Sequence, residues 1–172
     1  AISLSSDSNA NVFLINKKGG VQRQLTSVWG INISPTWSPD GTKLAFVSDR
    51  SGSPQLYVMG ADGSSPKRLT FRGNYNQEPD WSPKGDKIAF TGRDAKFDLF
   101  AAAVTSGSIE RLTQGAGNNE HAKWSPDGKQ VVFSSTRGGS SRIWMMSVDG
   151  TNTRSLDGAG KGTYNPAWSP RF

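Results

Sequence analysis

Three groups of side chains in this sequence have the types needed for chemistry. His121, the one histidine, directly follows Glu120, and an imidazole beside a carboxylate can take up a proton as a general base. Asp-Gly dipeptides recur at Asp40-Gly41 and Asp127-Gly128, and carboxylate oxygens in turns are calcium ligands. Trp29, Tyr75 and Tyr164 offer flat rings on which a sugar or other small ligand stacks. The surrounding patterns argue against the first two chemistries. A lone His cannot build a multi-His metal site, and no Gly-x-Ser-x-Gly elbow supplies a nucleophile. The Asp-x-Asp-x-Asp-Gly spacing of a calcium loop is missing. With no cysteine there is no thiolate ligand, thiol nucleophile or disulfide frame. A chain without catalytic residues, and not an enzyme, is expected.

The elements that carry these residues follow from composition and repetition. The 172 residues make one domain with a sizeable core; 20 Gly and 6 Trp with only 34% hydrophobic residues favour many turns and a mostly β fold over a helical one. The 20 Lys and Arg outnumber the 14 Asp and Glu, but no run of five basic residues exists and the charges are spread among Asp and Gly turns. That is a solvated surface, and no nucleic-acid partner is expected. No stretch approaches the roughly 20 apolar residues of a membrane helix, and no leader pattern opens the sequence. A soluble chain without membrane insertion is expected.

Trp-Ser-Pro recurs at Trp37, Trp81, Trp124 and Trp168, at spacings of 44, 43 and 44 residues. Leu-Thr keeps the same period at Leu25-Thr26, Leu69-Thr70 and Leu112-Thr113, and drifts to Ser155-Leu156 in the fourth copy. Each copy reads as four short strands. In the copy from Pro35, strand one ends at Trp37 and Ser38-Pro39-Asp40-Gly41 turns the chain, Pro fixing φ and Gly accepting positive φ. Strand two is 43–48, with Leu44 and Phe46 on one face and Ala45 and Val47 on the other. Strand three is 55–59 and strand four 66–70. Four strands per unit of about 44 residues is the blade of an all-β propeller. The four Trp of the Trp-Ser-Pro motif, and Trp144, are expected to pack inside blades.

The spacing predicts blades at 35–70, 79–113 and 122–156. Residues 1–26 align with strands two to four of a blade, and 163–172 with a lone strand one. A composite blade made from both ends, closing a four-bladed ring, is the expectation; the alternatives are an open arc or two chains pairing as a homodimeric eight-bladed ring.

The motifs Trp-Ser-Pro-Asp-Gly with Lys-Leu-Ala-Phe-Val-Ser-Asp-Arg (37–50), then Gln-Leu-Tyr-Val-Met and Arg-Leu-Thr, resemble the propeller of the periplasmic TolB family. Asn76-Gln77-Glu78-Pro79-Asp80-Trp81, Asn118-Asn119-Glu120-His121 and Asn165-Pro166-Ala167-Trp168 extend the resemblance over the whole chain. TolB proteins also carry an N-terminal α/β domain and six blades; this chain has no such domain and supplies four blades. The resemblance implies a periplasmic, non-catalytic interaction module of the Tol-Pal system. Its partner would be the peptidoglycan-associated lipoprotein, with bacteriocins using the same surface. A detached propeller of a prolyl-oligopeptidase-type peptidase and a sugar-binding propeller are the alternatives. No cofactor is expected; a cation such as calcium in the channel is the one such group left open.

In a propeller the loops from strand four to the next strand one share a face with those from strand two to strand three. That face surrounds the channel mouth. It carries Trp29, Arg72, Asn74, Tyr75, Asn76, Glu78, Asn118, Asn119, Glu120, His121, Lys161 and Tyr164, the expected partner-binding residues. His121 shares its repeat slot with Ser34, Glu78 and Asn165, as a channel-mouth lining position would. The short Ser-Pro-Asp-Gly turns lie on the opposite face and read as structural.

Overall fold

A computed structural model describes residues 1–6, 9–156 and 162–169. Among them are fifteen strands and no helix. The first sheet is β1 (Ile2–Ser6), β2 (Asn9–Ile15) and β3 (Val21–Gln24). The second is β4 (Asn32–Trp37), β5 (Lys43–Ser48), β6 (Gln55–Gly60) and β7 (Lys67–Arg68). The third is β8 (Asn76–Trp81), β9 (Lys87–Arg93), β10 (Phe97–Ala103) and β11 (Ile109–Arg111). The fourth is β12 (Asn119–Trp124), β13 (Gln130–Ser135), β14 (Arg142–Ser147) and β15 (Arg154–Ser155). Every sheet is antiparallel and runs in chain order from inner to outer strand, as propeller blades do.

The central strands are apolar on both faces because each sheet is packed between neighbours. Leu44 and Phe46 join Val12, Leu25, Tyr57 and Met59 in the seam with the first sheet. Ala45 and Val47 face the other way, into a cluster with Leu56, Trp81, Ile88 and Phe90. Ala89, Leu99 and Ala101 repeat the pattern against Trp124, Val131, Phe133 and Met146. Phe46, Phe90 and Phe133 occupy one repeat slot and are fully buried.

The inner strands begin three residues earlier than the spacing suggested, at Asn32, Asn76 and Asn119. Each carries a bulge, between Ile33 and Thr36, Gln77 and Asp80, and Glu120 and Lys123. Ser34, Glu78 and His121 sit within it at φ 53°, 57° and 59°. Pro35 and Pro79 follow the strained residue without ending the strand, since a bulged residue needs no ladder hydrogen bond. Residues 32–34, 76–78 and 119–121, expected in loops, are therefore strand.

The expected composite blade does not form among the described residues. β1 pairs only with β2. Residues 163–169 form no strand and lie on the fourth sheet: Asn165 N donates to Ser134 Oγ at 3.1 Å and Trp168 Nε1 to Lys123 O at 3.1 Å. Trp124 Nε1 makes the equivalent bond to Asp80 O at 3.1 Å, so this segment takes the place of the inner strand of a following blade. Among the described residues no strand of the first sheet touches a strand of the fourth. Trp81 and Trp124 are buried as expected, but Trp37 is 37% exposed, because the first sheet has no inner strand inside β1 to cover it. Trp144 is half-buried beneath Arg137.

Candidate protein-interaction face

The Ser-Pro-Asp-Gly turns consume their own carboxylates. Asp40 Oδ1 accepts from Ser38 Oγ at 2.6 Å and from Thr42 N at 3.0 Å, bonds that hold its carboxyl down at about 2. Asp127 Oδ1 accepts from Ser125 Oγ at 2.6 Å. In the third sheet Lys84 replaces that Asp, and Asp86 bonds Ser82 Oγ instead, at 2.7 Å. These turns are structural. Among the described residues no three His, Asp or Glu side chains converge as metal ligands.

On the opposite face the bulged inner strands place their strained residues one per seam. His121 Nε2 lies 2.8 Å from Glu78 Oε1, and His121 N donates to Glu78 Oε2 at 3.0 Å. The Thr91 hydroxyl donates to the same oxygen at 2.9 Å. The partner of His121 is thus Glu78 of the preceding sheet, not the adjacent Glu120, because successive residues on a strand point to opposite faces. The hydrogen bond and charge of Glu78 raise His121 above its ordinary value against the effect of burial. Burial would raise the Glu78 carboxyl, but the hydrogen bonds and charge of His121, with Thr91, hold it below its ordinary range. Glu120 is raised by burial and by the charge of Glu78. His121 Nδ1 is enclosed and without a partner, and Nε2 is held by Glu78, so neither nitrogen faces a substrate as a base would. Below this pair, Lys123 Nζ bonds Asp80 Oδ1 at 2.9 Å and Trp124 N bonds Asp80 Oδ2 at 2.9 Å.

Around the mouth, Tyr75 and Phe97 meet edge to face at 5.8 Å, and Arg93 lies 5.4 Å over the Phe97 ring. Asn118 joins them: its Oδ1 accepts from Phe97 N at 3.4 Å, and its N donates to Thr136 Oγ1 at 2.9 Å. Arg72 and Asn74 are exposed beside Tyr75. The structure thus brings Arg72, Asn74, Tyr75, Glu78, Asn118, Glu120 and His121 onto the rim of the second, third and fourth sheets. Phe97 and Arg93, at the two ends of a connection expected on this face, belong with them, although neither was among the expected partner-binding residues.

The remaining expected residues are placed otherwise. Asn119 is fully buried and Asn76 is 3% exposed, so neither side chain can meet a protein partner. Asn119 Nδ2 bonds Asp98 Oδ1 and Asn76 Nδ2 bonds Gln55 Oε1, both at 3.0 Å, tying adjacent sheets together. Trp29 is 73% exposed on the loop before β4, and Tyr164 is 68% exposed beyond the fourth sheet. Trp29 and Tyr75 stand on the connections before β4 and β8, and Tyr164 follows the fourth sheet. Lys161 lies outside the described residues.

The TolB beta propeller domain family matches residues 1–172. The chain belongs to that family. It is similar to the Protein TolB homolog of Chlorobium luteolum, 44% identical over 59 residues, which are 34% of this chain and 14% of that one. It is similar also to the Tol-Pal system protein TolB of Bordetella pertussis, 39% identical over 54 residues, 31% of this chain and 12% of that one. The crystal structure of TolB from Acinetobacter baumannii superimposes with a TM-score of 0.75 at 30% identity, over 86% of this chain and 37% of that one. The chain thus aligns with 14%, 12% and 37% of the length of these three relatives.

Proposed function

We propose that this chain is a non-catalytic docking module of a periplasmic Tol-Pal type system, and that the peptidoglycan-associated lipoprotein binds its channel-mouth face. The observation that carries this reading is the match to the TolB beta propeller domain over all 172 residues. The rim supports it. Tyr75, Phe97, Arg93 and Asn118 form a contiguous polar-aromatic surface of the composition found at protein interfaces. The strained residues Glu78 and His121 lie in one bonded pair beside it. Bacteriocins that exploit the Tol system would compete for the same rim. The enclosed imidazole supports a role in shaping this surface over a role in catalysis.

Titration of the chain with the soluble domain of the lipoprotein tests the proposal. Tyr75→Ala and His121→Ala should each weaken binding about tenfold, the loss of roughly 1.4 kcal/mol. Undiminished affinity in both variants would remove the rim from the interface.

A further inference from the structure

At two of the seams the turn from third to fourth strand presses on the preceding sheet. Gly63 N donates to Gly60 O and Gly150 N to Ser147 O, each at 2.9 Å, closing turns of equal length. A Cβ on these glycines would stand 2.9 Å from Leu25 O and 2.7 Å from Leu112 O. Asp62 and Asp149 cap the turns, accepting from Ser64 N and Thr151 N at 3.0 Å each. In the third sheet the turn is one residue longer, and Gly107 N donates to Ala103 O at 2.8 Å. Ser106 takes the place of the capping aspartate, its Oγ accepting from Ser108 N at 3.3 Å. The Cβ position of Gly107 stands 3.6 Å from Leu69 O, and a cavity of about 610 Å³ lies at this seam.

This cavity meets a cation and an aromatic ring that the sister seams do not present. Arg68 and Arg111 share a repeat slot: Nε donates to Thr70 O at 2.6 Å in one and to Thr113 O at 2.9 Å in the other. Arg111 Nη2 is neutralised by Asp98, but Gln55 stands in the aspartate slot of the second sheet. Among the described residues Arg68 forms no ion pair. Its guanidinium lies 4.9 Å from the Phe71 ring centroid. Phe71 is 70% exposed, whereas Ser27 and Gln114 follow the Leu-Thr marker in the first and third sheets. Lys43 and Lys67 line the cavity too, Leu69 and Val104 give it an apolar wall, and no Asp or Glu is among its lining residues. Asp40, Asp62 and Asp86, on neighbouring turns, are bonded to Ser38 Oγ, Ser64 N and Ser82 Oγ. A second hollow of about 310 Å³ shares Phe71 and Gly107 with the first and reaches the exposed Ile109.

We propose that this cleft docks an extended acidic polypeptide segment, with a carboxylate on Arg68 and a neighbouring apolar side chain against Phe71 and Ile109. A guanidinium without an internal partner offers its Nη donors to a carboxylate as a fork. Lys43 and Lys67 add to a field that no lining carboxylate offsets, which selects an anionic partner. A large exposed ring beside a cavity is the anchor type found at protein contacts. Two hollows joined across Phe71 favour a chain passing over the ring above a compact small molecule. The cleft is separate from the bonded pair of Glu78 and His121, and the proposal holds whether or not the lipoprotein docks at the rim.

The test is titration of the full chain with a blocked pentapeptide of alternating Leu and Glu, in about 0.15 M salt to screen the net charge of +6. The backbone amides of Arg68, Phe71 and Ser106 report by NMR, and saturable shifts at all three are expected. The same peptide with Gln for Glu should bind at least tenfold more weakly, and so should one with Gly for Leu. Arg68→Gln and Phe71→Ser install the residues that the first sheet carries, Gln24 and Ser27, and each should weaken binding at least tenfold. Ser106→Asp installs the carboxylate of the sister turns and should weaken it as well. No saturable shift, equal binding of either control peptide, or undiminished binding to both Arg68→Gln and Phe71→Ser would overturn the proposal. Acetate or inorganic phosphate binding as tightly as the peptide would reveal a site for a free anion and would overturn it too.

Discussion

Asn119 Nδ2 donates to Asp98 Oδ1 at 3.0 Å across the seam between the third and fourth sheets. The same carboxylate oxygen accepts from Thr113 Oγ1 at 2.7 Å. This trio recurs at each seam: Asn11, Thr26 and Asn32 join the first two sheets, and Gln55, Thr70 and Asn76 join the next two. The threonine is the one in the Leu-Thr repeat. Its hydroxyl also accepts a buried backbone N–H, from Val12, Leu56 or Leu99. The marker that repeats in the sequence is therefore the hydrogen-bonded joint between blades.

Removing Asp98 leaves Arg111, Thr113 and Asn119 without their acceptor. Asp98→Ala should destabilise the chain by about 3–5 kcal/mol, as expected when one partner of a buried charged network is lost. Asp98→Asn should cost less, because Asn11 fills the same slot in the first sheet. Denaturant midpoints of the two variants check this ordering.

Thr70→Val keeps the shape and deletes the hydroxyl that joins Leu56 N and Gln55 Oε1. A buried donor is orphaned, and the expected loss is about 1–3 kcal/mol by chemical denaturation. A loss of only a few tenths would show that the joint contributes little.

The ion pair of His121 and Glu78 gives stability a defined pH dependence. The folded value of His121 is raised, so its contribution is complete below its ordinary value near 6.5 and is lost as pH rises through the folded value. Glu78 is depressed, so its contribution is present above its ordinary value near 4.5 and is lost as pH falls through the folded value. The stability advantage of the natural chain over His121→Ala should shrink as pH rises above about 6.5. An advantage that grows with pH would contradict the pairing.

Gly150 sits at φ 81°, and a Cβ there would stand 2.7 Å from Leu112 O on the neighbouring strand connection. Gly41 has φ 69° with open space around its Cβ position. Gly41→Ala should cost about 1–2 kcal/mol from the left-handed backbone alone. Gly150→Ala should cost more, because a backbone carbonyl cannot swing aside. Thermal unfolding of the two variants measures the difference.

The propeller was legible because its strands are fixed by local signals: Asp-Gly turns, short apolar runs and a period near 44. The assignment of Leu44 and Phe46 to one face and Ala45 and Val47 to the other follows from strand geometry, and the two seams show it. Strand starts were misread because Pro35 and Pro79 suggested a beginning, whereas a bulge with a strained residue lets each strand run through its proline. For the same reason Asn76 and Asn119 looked like loop residues. Their burial depends on partners 21 residues earlier, Gln55 and Asp98, which no local pattern links. The course of the C-terminal segment was equally hidden: whether Trp168 bonds the fourth sheet or the first is a tertiary matter.

The most direct test of the docking account is an NMR footprint of the soluble lipoprotein domain on the isotopically labelled chain. The account predicts that amide shifts concentrate at residues 72–75, 93–97 and 118–121 around the rim, while the Ser-Pro-Asp-Gly turns at 38–41 and 125–128 stay unmoved. Shifts confined to those turns, or none at saturating partner, would contradict it.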